Sequence, residues 1–312
     1  MTGVSRGGGF EISEAFIPEA TARSLDAVMG EASLRAMRDR PGFPEAVRAT
    51  TRIWRMPADG EARVFAEAMR DLGRLMGCLW AIFLHNTEGG LTLARLTALM
   101  EAGKVSGAGR ARALLVYLQF VGYIEPVPHV GDGRVRRYAP TPRLLAGWGG
   151  RLQRDFAVMA TVSPAIAALR ERFGEPAVFN QYGRLTGELF VHYMMVRDER
   201  MPGPSLEVFS QRYAGIMMLA ELLAKAEDGV PFPPIRPIRY SVAAIARACG
   251  VSRTQVRKAL RDGAAAGFLE LPEEGLAVPT PLLAEHLELM IAGQFVGCEW
   301  AAEQVLADSV AP

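Results

Sequence analysis

Side chains that hydrogen-bond to nucleic acids are concentrated just after Gly250. The run comprises Ser252, Arg253, Thr254, Gln255, Arg257 and Lys258. Val256 and Leu260 stand four residues apart in the same stretch, a spacing that puts both on the buried face of a helix. The polar side chains then project outward, where they can bond to base edges and to phosphates. The pattern predicts a helix with the chemistry to read double-stranded DNA.

The elements that would position this helix are also signalled in the sequence. Ser241 can cap a preceding helix from Val242 to Cys249, and Gly250 can end that helix in the left-handed conformation. Ser252 is then placed to cap the second helix. Two short helices joined by so tight a turn have the pattern of a helix-turn-helix. Residues 267–281 follow with a glycine, a short strand, an acidic turn, a second strand and a new helix start, which predicts a β-hairpin wing.

The same signals occur earlier in the chain, in the same order and offset by about 145 residues. Gly122-Tyr123-Ile124-Glu125 matches Gly267-Phe268-Leu269-Glu270, and Pro140-Thr141-Pro142 matches Pro279-Thr280-Pro281. A period of this length is that of a domain and is too long for a solenoid repeat. We interpret it as an internal duplication within one polypeptide.

The predicted fold is therefore mainly α, with a helical unit that occurs twice and carries a winged helix-turn-helix with a small β-hairpin wing. The first repeat is assigned to residues 1–150, with its winged helix at about 77–148. The second is assigned to residues 151–312, with its winged helix at about 216–290. Apolar residues at helical spacing precede each winged helix, between Glu61 and His85 in the first repeat, and predict one packing helix there.

The second helix of the first helix-turn-helix offers fewer polar side chains than its counterpart. Ser106 is predicted to cap it, and Arg110 and Arg112 are predicted to project from it toward DNA. Gly107 and Gly109 lie among them and provide no hydrogen-bonding side chain. Base recognition is therefore expected mainly from the second repeat.

The two wings also differ in charge. The first carries, after a turn at residues 131–133, three arginines: Arg134, Arg136 and Arg137. The first two of these fall on one face of the strand because side chains alternate, and arginines beside a tight turn suit the narrow, electronegative minor groove. The second wing is short and carries Glu273 and Glu274 at its turn. Symmetric recognition of a palindrome is therefore not expected.

Composition limits the classes of function. The chain has 35 basic and 34 acidic residues, so any DNA-binding surface must come from local clustering of arginine and lysine. Half of the residues are apolar, which is typical of a globular protein. The sequence contains no phosphate-binding loop, no nucleophile elbow and no His-Glu-x-x-His motif. Neither an enzymatic activity nor a cofactor is expected.

Cysteine usage and hydropathy give two further expectations. Cys78, Cys249 and Cys298 are widely separated, which favours small buried residues over a disulfide, a zinc site or a redox switch. The longest apolar stretches, Leu75 to Leu84 and Ala214 to Leu223, are too short to cross a bilayer. The first ten residues have no apolar signal core, so no membrane partner and a cytoplasmic location are expected.

Each half of the chain resembles the winged helix-turn-helix transcription regulators of the MarR type. The resemblance covers residues 61–148 and 205–300 and rests on the order of elements described above. It implies that the second helix of each helix-turn-helix lies in the major groove and that the wing tip touches the minor groove. Two such units in one chain imply a monomer that acts as a pseudo-dimer at a specific sequence of double-stranded DNA and regulates transcription.

The resemblance also implies a possible small-molecule effector. MarR-type proteins often hold a ligand where the dimerisation helices meet the DNA-binding lobe. Aromatic and methionine residues that could line such a site are Trp54, Trp80, Tyr193, Met194 and Met195. Core packing is the alternative interpretation of the same side chains.

Two other functions are compatible with paired winged helices. One is a plasmid-type replication initiator, which would act at an origin with repeated sites. The other is a protein-interaction scaffold of a chromosome-organising complex. Arg253 and Arg257, with Arg110 and Arg112, argue against the scaffold, because such a module has no need of basic recognition helices.

Overall fold

Helices account for most of the chain in this computed structural model, which describes residues 16–128, 135–200, 205–226 and 232–308, without the side chains of 198–200. Arg134 and the wing turn at residues 131–133 therefore lie outside the described residues. The first half contains α1 (Glu19–Val28), α2 (Glu31–Arg38), α3 (Phe43–Ile53), α4 (Gly60–Ala68), α5 (Leu72–His85), β1 (Leu91–Thr92), α6 (Leu93–Ala102), α7 (Ala108–Phe120), β2 (Ile124–Pro126) and β3 (Arg137–Pro140).

The second half begins with α8, whose 18 residues include residue 150, so the chain passes from one half to the other as a continuous helix. Its elements are α8 (Pro142–Met159), α9 (Pro164–Arg172), α10 (Pro176–Arg200), α11 (Glu207–Ser210), α12 (Gly215–Leu223), β4 (Ile238–Arg239), α13 (Val242–Cys249), α14 (Arg253–Ala265), β5 (Leu269–Glu273), β6 (Leu276–Pro279) and α15 (Pro281–Asp308). The prediction of a mainly α fold with small β-hairpins is confirmed.

The six strands form two small antiparallel sheets with the same strand order. In the first sheet the order is β1-β3-β2, and in the second it is β4-β6-β5. The last strand of each set thus lies in the centre, paired on one side with the strand before α6 or α13 and on the other side with its hairpin partner. In each case two helices come before the first strand of the sheet and two more lie in the sequence between its first and second strands, so both segments have the same order of elements.

Equivalent hydrogen bonds fix the chain where each hairpin begins. Gly122 and Gly267 adopt φ values of 72° and 82°, in the left-handed region that glycine reaches without strain, and each follows a helix. The aromatic residue after each glycine is fully buried. The hydroxyl groups of Thr141 and Thr280 donate to the carbonyls of Gly122 and Gly267, each at 2.7 Å. The recurring motifs therefore form the same turn and the same hydrogen bonds at the start of both hairpins.

One predicted helix is wrong. The stretch from Glu61 to His85 forms two helices, because the Asp71 carboxylate accepts a hydrogen bond from the Arg74 amide at 3.0 Å and starts α5 afresh. The corresponding apolar stretch in the second half is also broken, between α11 and α12, where Ala214 has a positive φ of 56°. Most apolar residues of both stretches are buried, with Leu72 and Ile216 half-buried and Tyr213 38% exposed. The predicted packing face is therefore divided between two short helices in each half.

The core is organised around α10, which packs against α5 on one side and α15 on the other. A Cβ atom at Gly187 would lie 2.6 Å from the Phe83 ring, so glycine lets α10 and α5 approach closely. Gly297 of α15 accommodates Leu189 in the same way. Helices α1, α2, α3 and α9 also contact α15. None of the described helices is long and apolar enough to cross a membrane.

The threonine contacts at the two hairpins predict a matched loss of stability. Thr141→Val or Thr280→Val should each lower the free energy of unfolding by about 1–2 kcal/mol, because each hydroxyl both bonds to a glycine carbonyl and caps the next helix. Chemical denaturation measures the change. Thr254→Val is the control, since Thr254 is exposed and makes no side-chain hydrogen bond within the described chain. An equal loss in all three variants would contradict the assigned role.

Candidate nucleic-acid interface

The position of α14 is set by local contacts that the sequence predicted. Ser241 caps α13 by accepting from the Ala244 amide, and Gly250 ends α13 in the left-handed conformation with φ 61°. The Ser252 hydroxyl accepts from the Gln255 amide at 3.1 Å and caps α14. Val256 and Leu260 are buried beneath the helix. These predictions are confirmed, and the helix begins at a defined angle to α13.

The outer face of α14 is basic. The exposed polar side chains on this face are Arg253, Thr254, Arg257, Lys258 and Arg261, and Gln255 is exposed at its edge. Arg261 is absent from the sequence-predicted set, although it lies three residues after Lys258 and four after Arg257, the spacing of one helix face. Extending the predicted exposed face by one helical turn beyond Arg257 would have included Arg261. This face offers guanidinium, ammonium and hydroxyl donors toward solvent.

The amide oxygen of Gln255, which was predicted to face DNA, has a hydrogen-bond partner within the chain. That oxygen accepts a hydrogen bond from the Ser252 backbone amide at 2.8 Å and completes a capping box. The pattern Ser-x-x-Gln at a helix start is the sequence signal for this arrangement. Gln255 therefore stabilises the start of α14. Its amide nitrogen makes no hydrogen bond within the described chain.

Acidic side chains compensate part of the charge on α14. Arg257 lies 3.4 Å from Glu274 at the turn of the second wing, and both groups are exposed. Lys258 lies 3.5 Å from Asp262, which also binds Arg212 of the preceding segment. Exposed pairs of this kind contribute little to stability and are screened by salt. Arg253 and Arg261 have no acidic partner among the described residues, so positive charge is least compensated at the start of α14 and two turns further along.

The predicted cap of α7 is wrong. Gly107 occupies the N-cap position and no side chain caps the helix. Residues 103–107 join α6 to α7, whereas residues 250–252 join α13 to α14. In the longer turn the Ser106 amide bonds to the Met100 carbonyl, and the Ser106 hydroxyl lies 3.9 Å from the Met100 sulfur. Ser106 is thus held in the turn and half-buried instead of capping the helix.

The outer face of α7 mixes arginines with large apolar residues. Arg110 and Arg112 are exposed, as predicted. Val116 is 60% exposed and Phe120 is 87% exposed. Both lie on the outer face with Arg112, at steps of four residues. This face therefore offers charge and apolar contact but few of the donors and acceptors that distinguish base pairs.

The wings keep the predicted contrast in charge over their described parts. Arg136 and Arg137 are exposed, with β3 beginning at Arg137, three residues after the strand start that the sequence suggested. Arg134 lies outside the described residues. In the second wing Glu273 and Glu274 are exposed beside a turn at Gly275, whose φ is 84°. Over its described part the first hairpin is therefore basic, and the second is acidic at its turn.

Most of the residues considered for an effector site are packed in the core. Trp80 is fully buried, and its ring and Met194 leave no room for a side chain at Gly103. Met195 is also buried, and Trp54 and Tyr193 are partly buried against the same core. A shallow cleft lies elsewhere, between α3 and the end of α12, lined by Arg48, Thr51, Arg52, Leu223, Ala224, Ala226 and Phe232. It encloses about 10 Å³, room for about one water molecule, whereas typical ligand sites enclose roughly 300–1,000 Å³.

All three cysteines are buried, as the sequence predicted. Burial raises the pKa of each thiol, of Cys78, Cys249 and Cys298, to about 12. A thiol with so high a pKa is neutral near pH 7 and is a poor nucleophile and metal ligand. Within the part of the chain that the structure describes, no group of His, Cys, Asp and Glu side chains could hold a metal ion.

The chain was compared with models of protein families, with curated proteins and with solved structures, and none of them matches it. The chemistry of the two basic surfaces must therefore be inferred from their own residues. Of the sequence-predicted set, the structure groups Arg253, Thr254, Arg257 and Lys258 on one exposed helix face, and Arg110 with Arg112 on another. Ser106 and Gln255 are drawn into turn and capping contacts.

The buried thiols predict slow chemical modification. In the folded protein at pH 8 all three cysteines should resist an aromatic disulfide reagent, because a pKa of about 12 leaves a thiolate fraction on the order of 10⁻⁴. Denatured protein should release three equivalents of thiol at once and serves as the control. One rapidly reacting thiol in the folded state would contradict the buried structural role.

Proposed function

We propose that the protein is a sequence-specific regulator of transcription that binds double-stranded DNA through two winged-helix units in one chain. The units are the repeats assigned to residues 1–150 and 151–312, and we infer that they arose by internal duplication, as in a fused pair of MarR-type units. The shared order of elements, the shared strand order and the paired threonine–glycine hydrogen bonds support this inference.

A single observation carries the DNA-binding proposal. The exposed face of α14 presents four cations and a threonine hydroxyl on a helix whose start is fixed by a capping box and a left-handed glycine. A helix of this kind fits the major groove, which is about 12 Å wide, and its arginines can bond to guanine. Arg253, at the start of α14, has no acidic partner among the described residues. The face therefore has both the charge and the rigidity that base recognition needs.

The side chains of α14 would divide the task. Arg253 and Thr254, in the first turn, are placed to reach base edges, because the N-terminal residues of a recognition helix enter the groove. Arg257 would exchange the Glu274 carboxylate for a base or a phosphate. Lys258 and Arg261 would bind phosphates further along the groove. Gln255 would contribute mainly by holding the helix start.

The first unit would contribute charge more than sequence recognition. Arg110 and Arg112 of α7, beside the Ser106 turn, would bind phosphates, and the wing arginines 134, 136 and 137 would lie along the minor groove. Phosphate contacts fix the position and orientation of a protein on DNA without selecting a sequence. The first unit would thus place the chain, and the second would select the site.

A protein-interaction scaffold is the second candidate function, and one observation favours it. Val116 and Phe120 are exposed on the helix that corresponds to α14, where a base-reading helix would carry polar groups. Exposed apolar side chains of this size often mark contacts between proteins. A chain that failed to bind any duplex at low salt would favour the scaffold over the DNA-binding function.

The roles assigned to α14 and to the first wing predict different binding defects. Arg253→Ala should reduce the preference for a selected duplex over random duplex by about 1–3 kcal/mol. Arg257→Ala should reduce it by less, because Arg257 gives up its contact with Glu274 when it binds DNA. Arg136→Ala combined with Arg137→Ala should weaken binding to both duplexes alike and flatten the salt dependence, since only phosphate contacts are lost. Titrations over a salt series with labelled duplex give both quantities.

The matched control for these titrations is Arg35→Ala, an exposed arginine on α2 that pairs with Glu31 of the same helix. It should change neither specificity nor salt dependence. If the wing variant lost specificity while the α14 variants lost only general affinity, the two roles would be reversed.

The presence of two units in one chain predicts the stoichiometry. One chain should occupy two successive major-groove faces, about 34 Å apart, on a duplex of roughly two helical turns. Sedimentation of the complex should therefore give one chain per duplex. Two chains per duplex at every ratio would show that a single chain does not act as a pseudo-dimer.

A further inference from the structure

Tyrosine and arginine side chains alternate between the two units. The Arg74 guanidinium lies 5.1 Å from the centre of the Tyr117 ring and 5.5 Å from the centre of the Tyr213 ring. The Arg70 guanidinium also lies over the Tyr213 ring, 4.6 Å from its centre. We call the series Tyr117, Arg74, Tyr213 and Arg70 the tyrosine–arginine stack. Each step is within the distance at which a cation is attracted to an aromatic face.

The first end of the stack is part of a candidate DNA-reading helix. Tyr117 belongs to α7 and lies one turn after Ala113 on the same helix. Arg74 is held in place by its own segment, because it donates to the Glu67 carbonyl at 3.2 Å and lies 3.8 Å from the Asp71 carboxylate. The position of the Arg74 guanidinium is therefore fixed relative to α5 as well as to α7.

The second end of the stack holds the other helix-turn-helix. Arg70 donates to the Cys249 carbonyl at 2.8 Å, at the carboxyl end of α13, where a cation is favoured by the helix dipole. Its side chain is only 3% exposed, and it also binds Glu67 and the Tyr213 hydroxyl. Gly250 leaves space for this approach, since a Cβ there would lie 3.0 Å from Arg70. The turn between α13 and α14 is thus anchored by a residue of the first unit.

The main chain joins the units at the same place. The Arg70 carbonyl accepts a hydrogen bond from the Ala214 amide at 3.0 Å, immediately after Tyr213. A second connection runs beside it, where Arg55 binds the buried Glu221 carboxylate of α12 at 2.9 Å. Arg70 therefore touches both the start of α12 and the end of α13.

We propose that the tyrosine–arginine stack fixes the relative position of α7 and α14, so that the spacing of the two candidate DNA-reading helices is built into the monomer. Arg74 and Tyr213 are positioning residues in this arrangement and need not touch DNA. The consequence for DNA rests on the proposed function, whereas the coupling of the two helices does not. A chain with a fixed spacing between its reading helices accepts one separation between half-sites and rejects others.

The coupling is tested in the free protein with spin labels at Ala113→Cys on α7 and Lys258→Cys on α14, both exposed positions. Pulsed electron resonance should give one narrow distance distribution. Tyr213→Leu and, independently, Arg74→Gln should broaden it, because each removes one partner from the stack. Tyr213→Phe keeps both ring faces and should leave the distribution narrow.

The matched control is Arg143→Gln, which removes an arginine 5.2 Å from the Tyr123 ring inside the first unit only. It should leave the distribution narrow. Circular dichroism and thermal unfolding confirm that each labelled variant is folded, and Arg74→Gln decides the outcome if Tyr213→Leu is unfolded. Narrow distributions in the folded stack variants would overturn the proposal.

The consequence for DNA is tested with a duplex selected from a random library by the parent protein. Moving the half-sites apart by two base pairs rotates one of them by about 70° and should weaken binding by the parent about tenfold. Tyr213→Leu and Arg74→Gln should reduce this penalty to less than about threefold, while Tyr213→Phe and Arg143→Gln should keep it. An unchanged penalty in the stack variants would overturn the proposed spacing role.

The distance distributions test the coupling of α7 and α14, and the binding measurements test the proposed DNA-binding function. If the library yields no duplex, the DNA-binding function fails, and the distance distributions still decide whether the stack couples the helices. If a duplex is selected and the distributions broaden without any change in spacing penalty, the coupling exists but does not set the separation of half-sites.

Discussion

Both hairpins depend on how the chain leaves the preceding helix. A left-handed glycine ends the helix, and the aromatic residue after it enters the core, as Gly122-Tyr123 and Gly267-Phe268 do. Because the ring is fixed in the core, the register of the following strand is fixed, and with it the position of the wing beside the helix. The threonine that closes each hairpin then starts the next long helix. None of these contacts uses the outer face of the helix, which is free to change.

That freedom explains how two similar scaffolds display different surfaces. When the helices are aligned on their glycines, Lys258 and Arg261 of α14 stand where α7 has Ala113 and Val116. The exchange replaces two cations by apolar groups without disturbing the buried side. The hairpins differ in charge the other way round: the first, which follows the less basic helix, carries arginines, and the second, which follows the more basic helix, carries glutamates. Charge is thus divided between helix and wing in complementary ways, which favours different tasks for the two units.

Local signals in the sequence were sufficient to predict α13, the turn at Gly250 and α14, whereas contacts between distant residues left no signal in it. The caps at Ser241 and Ser252 and the stop at Gly250 act within four residues, so the sequence alone determines them. The predicted cap at Ser106 was wrong because the turn before α7 is two residues longer than the turn before α14 and places Gly107 at the N-cap position. The tyrosine–arginine stack could not be foreseen, because Tyr213 meets Arg74 only after both units have folded. Helical periodicity indicated that Tyr213 belongs to an apolar stripe and could not indicate its partner.

The near balance of charge in the whole chain bears on how the proposed site would select its target. Arg257 and Lys258 already have acidic partners, so binding a phosphate there exchanges one ionic contact for another and gains little. Arg253 has no such partner among the described residues, and its contact with DNA would be a net gain. Thr254 beside it adds a donor and an acceptor. The discriminating free energy should therefore concentrate in the first turn of α14, on the part of the helix that the Ser252 capping box holds most firmly.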